Sequence, residues 1–351
     1  MPWRRKPRVP KGLQAWPDDA FDLDSSKVES LYNSGFCGAM YQPEEREALF
    51  NSLTEPDGEV VATAYGLAGT GAGKLSLPYI FAYENWPRCW PCPGQTTGDC
   101  VSHAGKNAGI VLIGVEAAFG TPDEVTGKAE GFPTVSEEAE REGVVACEPI
   151  YGDRGHGGQG ASCDRLIQHV TQWGGIMLRQ NYPELGIDLT RYNASIGMKW
   201  GNSQTPDAVR AEGKKHQIRT ATNANGHEVC RDFVANGYPI WACSGLGWSS
   251  SRDENGYSRR SGSWSHSWII MGYDDRDSTK QKYGFPLALY NHDWGKWNSG
   301  GRRIMGTEKD IPEGSMWIDA RLLDDCDCTA MSSINGWPRR ELPNWNLNAW
   351  G

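Results

Sequence analysis

The sequence predicts an α+β fold. Segments before residue 237 carry apolar residues at three-and-four spacing, the signature of helices packed on one face, whereas short apolar runs suited to buried strands follow from residue 239 onward. Helices first and strands after them segregate into an α+β domain, because a doubly wound sheet would alternate the two. Hydrophobic residues make up 38% of the chain, enough for a packed core, which excludes a disordered protein.

Residues 1–26 are rich in Pro, Asp and basic side chains and read as an extended arm. Short helices are expected at 27–32 and 43–53, the second with Pro43 in its first turn followed by Glu44 and Glu45. The stretch Ala68-Gly69-Thr70-Gly71-Ala72-Gly73-Lys74-Leu75 has the look of a phosphate loop. It fails as one, because Ala68 stands at the first glycine and Leu75 stands where a Mg²⁺-binding hydroxyl is needed. It is read as a flexible connection. The longest helix lies within 94–122, where Val101, Ala104, Ala108, Val111, Leu112, Val115, Ala118 and Phe119 recur on one face. Asp99 is its N-cap, and Gly120 with Pro122 stops it.

Residues 121–143 are polar and acidic, a loop with a short helix from Ser136. Residues 150–161 are glycine-rich, with Gly152, Gly155, Gly157, Gly158 and Gly160. Helical spacing returns over 163–173 through Leu166, Ile167, Val170 and Trp173, and Gly174-Gly175 ends it. A loop over 178–192 leads to helices at 208–215 and 228–236, then to strands at 239–244, 268–273, 287–291 and 316–318. The Trp- and Pro-rich residues from Asp324 read as a surface tail.

The net charge is −9 with an isoelectric point near 5.4 and no basic face, which excludes nucleic acid as the expected ligand. The basic start MPWRRKPRVPKG has no apolar run behind it, so neither a secretory signal nor a membrane span is expected. No compartment follows, and a virion component or a cytoplasmic protein both fit. Ten cysteines are present; if one is a free nucleophile, 10 − 1 = 9 remain, and an odd number cannot all pair within one chain. Cys89 and Cys92 form one close pair and Cys326 and Cys328 another. Four such thiolates could hold a structural zinc if the segments met, but buried or singly bridged thiols are the favoured reading.

Cys100 falls in the first turn of the long helix. There the unpaired backbone N–H groups and the positive end of the helix dipole favour thiolate over thiol. Gln95 lies just upstream, and far downstream come Ser265-His266-Ser267-Trp268-Ile269-Ile270-Met271-Gly272-Tyr273 and Leu289-Tyr290-Asn291-His292-Asp293-Trp294-Gly295. In this order the chain resembles the papain-like cysteine peptidase superfamily, closest in form to its bacterial and phage-encoded branches. That family has a Gln before a helix-opening Cys, a His opening an apolar strand that ends in Gly-Tyr, and a later Asn-Ser-Trp-Gly turn. The resemblance covers residues 79–323, leaving 1–78 as an N-terminal extension and 324–351 as a C-terminal tail.

The resemblance implies a helical subdomain opening with Cys100, packed against an antiparallel β subdomain carrying His266, with the cleft between them. It implies peptide-bond hydrolysis without a cofactor, on a peptide or protein substrate. Cys100 would be the nucleophile, His266 its base or ion-pair partner, and Gln95 with the Cys100 N–H the oxyanion hole. Gln95 stands one residue nearer the Cys than in papain. Gly157 and Gly158 would line the cleft, and Trp294 would shield the histidine. The orienting residue is open: a bulged alignment gives Asn291 and an ungapped one gives His292, and strand alternation forbids both from facing His266. The reading leans to Asn291. The departure from Asn-Ser-Trp-Gly keeps a weakened papain-like protein, serving as a structural or binding part of a larger assembly such as a virus particle, as an alternative. A thiol amidase or acyl transferase is another. His103, one turn into the helix, is taken as a surface or packing residue, and no metal spacing links the other histidines.

Overall fold

One long helix laid across an antiparallel sheet makes the core. The structure is a computed structural model that describes residues 39–40, 67–90, 94–119, 132–218, 221–291 and 302–331. The arm at 1–26 and the helices expected at 27–32 and 43–53 lie outside these residues. The seven strands of the sheet are β1 (Leu75–Ser76), β2 (Ala221–Asn223), β3 (Ile240–Ser244), β4 (His266–Asp274), β5 (Leu287–Asn291), β6 (Ser315–Asp319) and β7 (Asp327–Met331). They run in the order β6-β5-β4-β3-β7-β2, and β1 pairs with the far end of β4 at Tyr273 and Asp274. The helices that matter most are α1 (Tyr79–Asn85), α2 (Cys100–Phe119), α3 (Cys163–Gln168) and α4 (His227–Ala235).

The expected strands and the expected helices at 100–119, 163–168, 207–213 and 227–235 are present. The sheet also extends past both proposed boundaries of the domain, because β1 and β7 belong to it. Residues 327–331 are therefore an interior strand between β3 and β2, and not a surface tail.

Register assigns the faces of the sheet. Trp241 pairs with Ile269, Cys243 with Ser267, and Ile269 with Asn291, so these side chains share one face. Helix α2 covers it. A Cβ on Gly105 would come within 2.5 Å of the Trp241 ring, and one on Gly114 within 2.6 Å of the Ala82 backbone in α1. These two glycines set the close approaches of α2 to the sheet and to α1. On the other face Trp248, Trp268 and Tyr290 pack ring against ring, with centroids 4.9 to 6.2 Å apart. With both faces covered, β4 is buried at all of its residues, which accounts for its unbroken apolar run.

The glycine-rich stretch at 68–75 is an anchored turn, where a flexible connection was expected. The Gly69 and Gly71 N–H groups donate to the Asp232 carboxylate at 2.8 and 3.0 Å, and Gly73 N–H donates to Asp275 at 2.7 Å. Successive amides in such a turn make an anion cradle, and here the anions are the chain's own carboxylates.

The helical half is tied to the sheet by a disulfide between Cys163, at the start of α3, and Cys243 in β3. Their sequence separation is 80 residues; closing a loop of that size stabilises by on the order of 4 kcal/mol in the chain-entropy account. After Gln168 the chain widens into a π turn over His169–Trp173, and the Gly174 N–H closes it on the His169 carbonyl at 2.8 Å. The widened turn aims His169 at Asp153, whose fully buried carboxylate accepts from His169 Nδ1 at 2.5 Å, Arg210 Nε at 3.0 Å and the Thr205 N–H at 2.9 Å. Burial by itself would raise the Asp153 carboxyl, but the hydrogen bonds from His169 and Arg210 hold it below its ordinary value.

Asp153→Ala would leave a buried imidazole and guanidinium without their anion and is expected to lower the unfolding free energy by about 3–5 kcal/mol in urea titrations. Because the folded carboxyl is depressed, its contribution is present above the unfolded value of about 3.9 and lost as pH falls below it. The gap between wild type and variant should therefore narrow in acid.

Candidate active site

The two halves meet at Cys100. It is the first residue of α2, whose first backbone bond runs from the His103 N–H to the Asp99 carbonyl at 3.1 Å. Asp99 is thus the N-cap by backbone position. The backbone N–H of Ser267 is near enough to the Cys100 sulfur to favour its thiolate, which sets the sulfur near the first peptide unit of β4. The residue that opens β4 is His266, whose ring lies 6.3 Å from that of Trp264.

Cys100 and His266 are each 1% exposed. Burial pushes the Cys100 thiol up to about 12, and the Asp99 carboxylate pushes the same way; the Ser267 N–H and His103 oppose them without winning. The thiolate expected from the helix-mouth position is therefore not the favoured form in this closed state. The dipole and a single N–H are outweighed by the loss of water.

Residues Ala39–Met40 lie where the two walls approach. They pair in parallel with Ala161–Ser162, and the Ala39 N–H donates to the Ser265 carbonyl at 3.2 Å. One short strand thus bridges the glycine-rich segment and the residue just before His266. The glycine-rich segment is itself fastened to the turn that carries Cys100. The Gly160 N–H donates to the Gly98 carbonyl at 3.0 Å, and the Gly98 N–H donates to Gln159 Oε1 at 2.8 Å. A Cβ on Gly98 would lie 3.1 Å from the Gly160 nitrogen, so the two backbones approach closely here.

The other site residues fall as follows. Gly158 is held by Arg154 Nε at 2.8 Å, and Gly157 packs so closely on Asn202 that a Cβ would come within 2.5 Å of it. Gln95 is half-buried, with Nε2 donating to the Thr97 carbonyl at 3.0 Å. An amide nitrogen carries two N–H groups, so this bond fixes the side chain and leaves a second donor. His292 and Trp294 lie outside the described residues.

Asn291 departs from the role the sequence reading leaned to. Its Oδ1 accepts from Asn107 Nδ2 at 2.8 Å, and its own Nδ2 donates to Ser315 Oγ at 2.8 Å. Its register partner is Ile269, three residues from His266, so strand alternation sets it on the face opposite to the His266 side chain. Asn291 joins helix to sheet.

Among the described residues Cys89, Cys326 and Cys328 form no metal-holding group. Cys89 closes a turn on Trp86 after α1, whereas Cys326 and Cys328 bracket the start of β7, and Cys92 lies outside the described residues. Among the described residues, one group of three His, Cys, Asp or Glu side chains has its ligand atoms within 4.8 Å of one another: Asp99, His103 and Cys147. His103 is accordingly no surface residue. It is 2% exposed, 3.2 Å from the Asp99 carboxylate and 3.6 Å from the Cys147 sulfur. The signal was present in the sequence, because Asp99 and His103 are four apart on one helix.

No protein-family model matches the chain, and no curated protein matches it. Among solved structures the chain is similar to xylellain, a cysteine protease from Xylella fastidiosa, at 14% identity over 69% of this chain and 82% of that one, with a TM-score of 0.42. It is similar to the proform of Amb a 11, a ragweed pollen cysteine protease, at 13% identity over 82% and 75% of the two chains, with a TM-score of 0.41. A digestive procathepsin L2 proteinase from Tenebrio molitor gives 12% identity over 71% and 66%, with a TM-score of 0.39. At these TM-scores the likeness is loose, and the site is read from its own residues. No helix among the described residues is long and apolar enough to cross a membrane.

Asn291→Ala would remove the buried partner of both Asn107 and Ser315. It is expected to destabilise the chain by about 1–3 kcal/mol, seen as a lower denaturation midpoint with an unchanged slope.

Proposed function

We propose that the chain hydrolyses peptide bonds through the Cys100 thiol with His266 as its base, and that residues 39–40 hold the cleft closed. One observation carries this reading: Cys100, first in α2, and His266, first in β4, are both buried where helix and sheet meet, and the Ser267 N–H next to His266 acts to lower the Cys100 thiol. In the open cleft His266 takes the thiol proton, and the Ser267 N–H and the helix mouth stabilise the thiolate. The sulfur attacks the scissile carbonyl carbon. The carbonyl oxygen gains charge against the Cys100 N–H and the second N–H of Gln95. His266 returns the proton to the leaving amine, and a thioester remains. Water, deprotonated by His266, then releases the acid and the thiol.

An extended strand already lies along the Ala161–Ser162 edge, which is how an extended peptide would be held there by backbone bonds. Its presence and the raised Cys100 thiol describe one resting state. His266 needs an orienting partner on its own face. Asn291 is on the other face, so we assign the role to His292, the next residue in sequence, as the ungapped alignment has it.

Two tests follow. Ala39→Pro deletes the N–H that bonds Ser265; it should raise the rate of peptide hydrolysis and of Cys100 alkylation in the full chain. An unchanged rate would show that the strand does not control access. In the Ala39→Pro background, His292→Ala should lower kcat by on the order of ten- to a thousand-fold, while Asn291→Ala should alter kcat little per folded molecule. The reverse ranking would restore Asn291 to the site. A papain-like binding module is the second reading, favoured by the burial of Cys100. It would be the one to keep if Cys100→Ala changed no measurable hydrolysis.

A further inference from the structure

The first turns of α2 carry buried polar residues that the proposed chemistry does not use. His103, Lys106 and Asn107 are 2%, 1% and 1% exposed, and Asp99, just before the nucleophile, is 1% exposed. Asp99 does not follow the usual habit of an N-cap, whose side chain accepts from the next turn of its own helix. Its Oδ2 accepts instead from the Tyr192 hydroxyl at 2.7 Å and faces His103 Nε2 at 3.2 Å. Its Oδ1 is buried with no hydrogen-bond partner among the described residues. The Tyr192 hydroxyl also accepts the Thr96 N–H at 3.2 Å, so the same group steadies the turn that carries Gln95.

We propose that Tyr192 and His103 are positioning residues that pin and partly neutralise Asp99, and so set how readily the neighbouring Cys100 thiol ionises. The proposal rests on Cys100 being the nucleophile. The proton placement follows from the neighbours. Lys106 Nζ stands 3.4 Å from His103 Nδ1, and an ammonium there can only donate, so Nδ1 is the acceptor and the imidazole proton sits on Nε2, toward Asp99 and Cys147. The groups facing His103 are then Asp99 and Lys106 on its own helix, Cys147 at 3.6 Å, and the edge of the Tyr192 ring at 5.0 Å between centroids. Behind Cys147, Glu148 pairs with Arg179 at 3.1 Å. Cys100 itself follows Asp99 directly at the mouth of α2 and has the Ser267 N–H nearby. On its thiol Asp99 acts to raise and His103 to lower, in keeping with a carboxylate that is only partly compensated.

The spacing of Asp99, His103 and Cys147 also suits a metal ion. The buried charges do not. Glu148 is already balanced by Arg179, and Arg179 Nη2 lies 3.7 Å from the Cys147 sulfur, where a bound cation would meet it. A histidine that binds metal through Nε2 also needs an acceptor at Nδ1, and Lys106 is a donor.

The test follows Cys100 alkylation by iodoacetamide against pH, with peptide mapping by mass spectrometry, in the full chain and with no peptide substrate. His103→Gln and Tyr192→Phe each leave Asp99 less compensated, and should slow labelling at neutral pH by on the order of three- to ten-fold, the effect of a shift of half a unit to one unit. Asp99→Asn should speed it by a similar factor, and adding Asp99→Asn to His103→Gln should cancel the slowing. Melting temperatures separate folding from charge, since a merely structural role lowers all of them and leaves the labelling midpoint where it was. Unmoved midpoints, shifts of one sign in all variants, or about one equivalent of metal in the purified protein would each overturn the proposal. Shifted midpoints in a chain with no peptidase activity would sustain it and sink the hydrolase reading. Activity with unmoved midpoints would do the opposite.

Discussion

The seating of α2 on β3 and β4 is the contact on which the site depends. Gly105 admits the Trp241 ring, the Trp241 indole donates to Ser267 Oγ at 2.9 Å, and two residues further along the helix the Asn107 amide reaches Asn291. These contacts fix the height and rotation of the helix above the strands. Only with both fixed does the first residue of the helix arrive at the first peptide of β4. The packing of α2 on the sheet thus sets where the helix mouth that carries Cys100 stands relative to the start of β4.

Charge and water then compete over Cys100. A helix mouth and a nearby backbone N–H favour the thiolate, but burial removes the solvent that would make the charge tolerable. The N-terminal strand at Ala39–Met40 spans both walls at the same place.

Much of this was legible in the sequence. The spacing of Val101, Ala104, Ala108, Val111, Leu112 and Val115 located α2, the apolar run after His266 located β4, and Gln95, Cys100 and His266 came in a recognisable order. What stayed hidden was tertiary. Residues 327–331 are short and begin Asp-Cys-Thr, so nothing local marked them as an interior strand. The anchors of the glycine-rich turn are Asp232 and Asp275, about 160 and 200 residues away, and an amide cradle accepts a carboxylate as readily as a phosphate. Asn291 sits on the face opposite to the His266 side chain, because one residue of register in a strand is a change of face. His103 could have been paired with Asp99 from their spacing, but Cys147 joins them only through the fold.

A peptide-based thiol electrophile tests the central claim most directly. Applied to the Ala39→Pro chain, it is expected to add one mass equivalent at Cys100, and His266→Ala should abolish the adduct while the fold, followed by circular dichroism, is retained. An adduct at Cys147 or Cys89, or labelling of Cys100 that is indifferent to His266, would contradict the account.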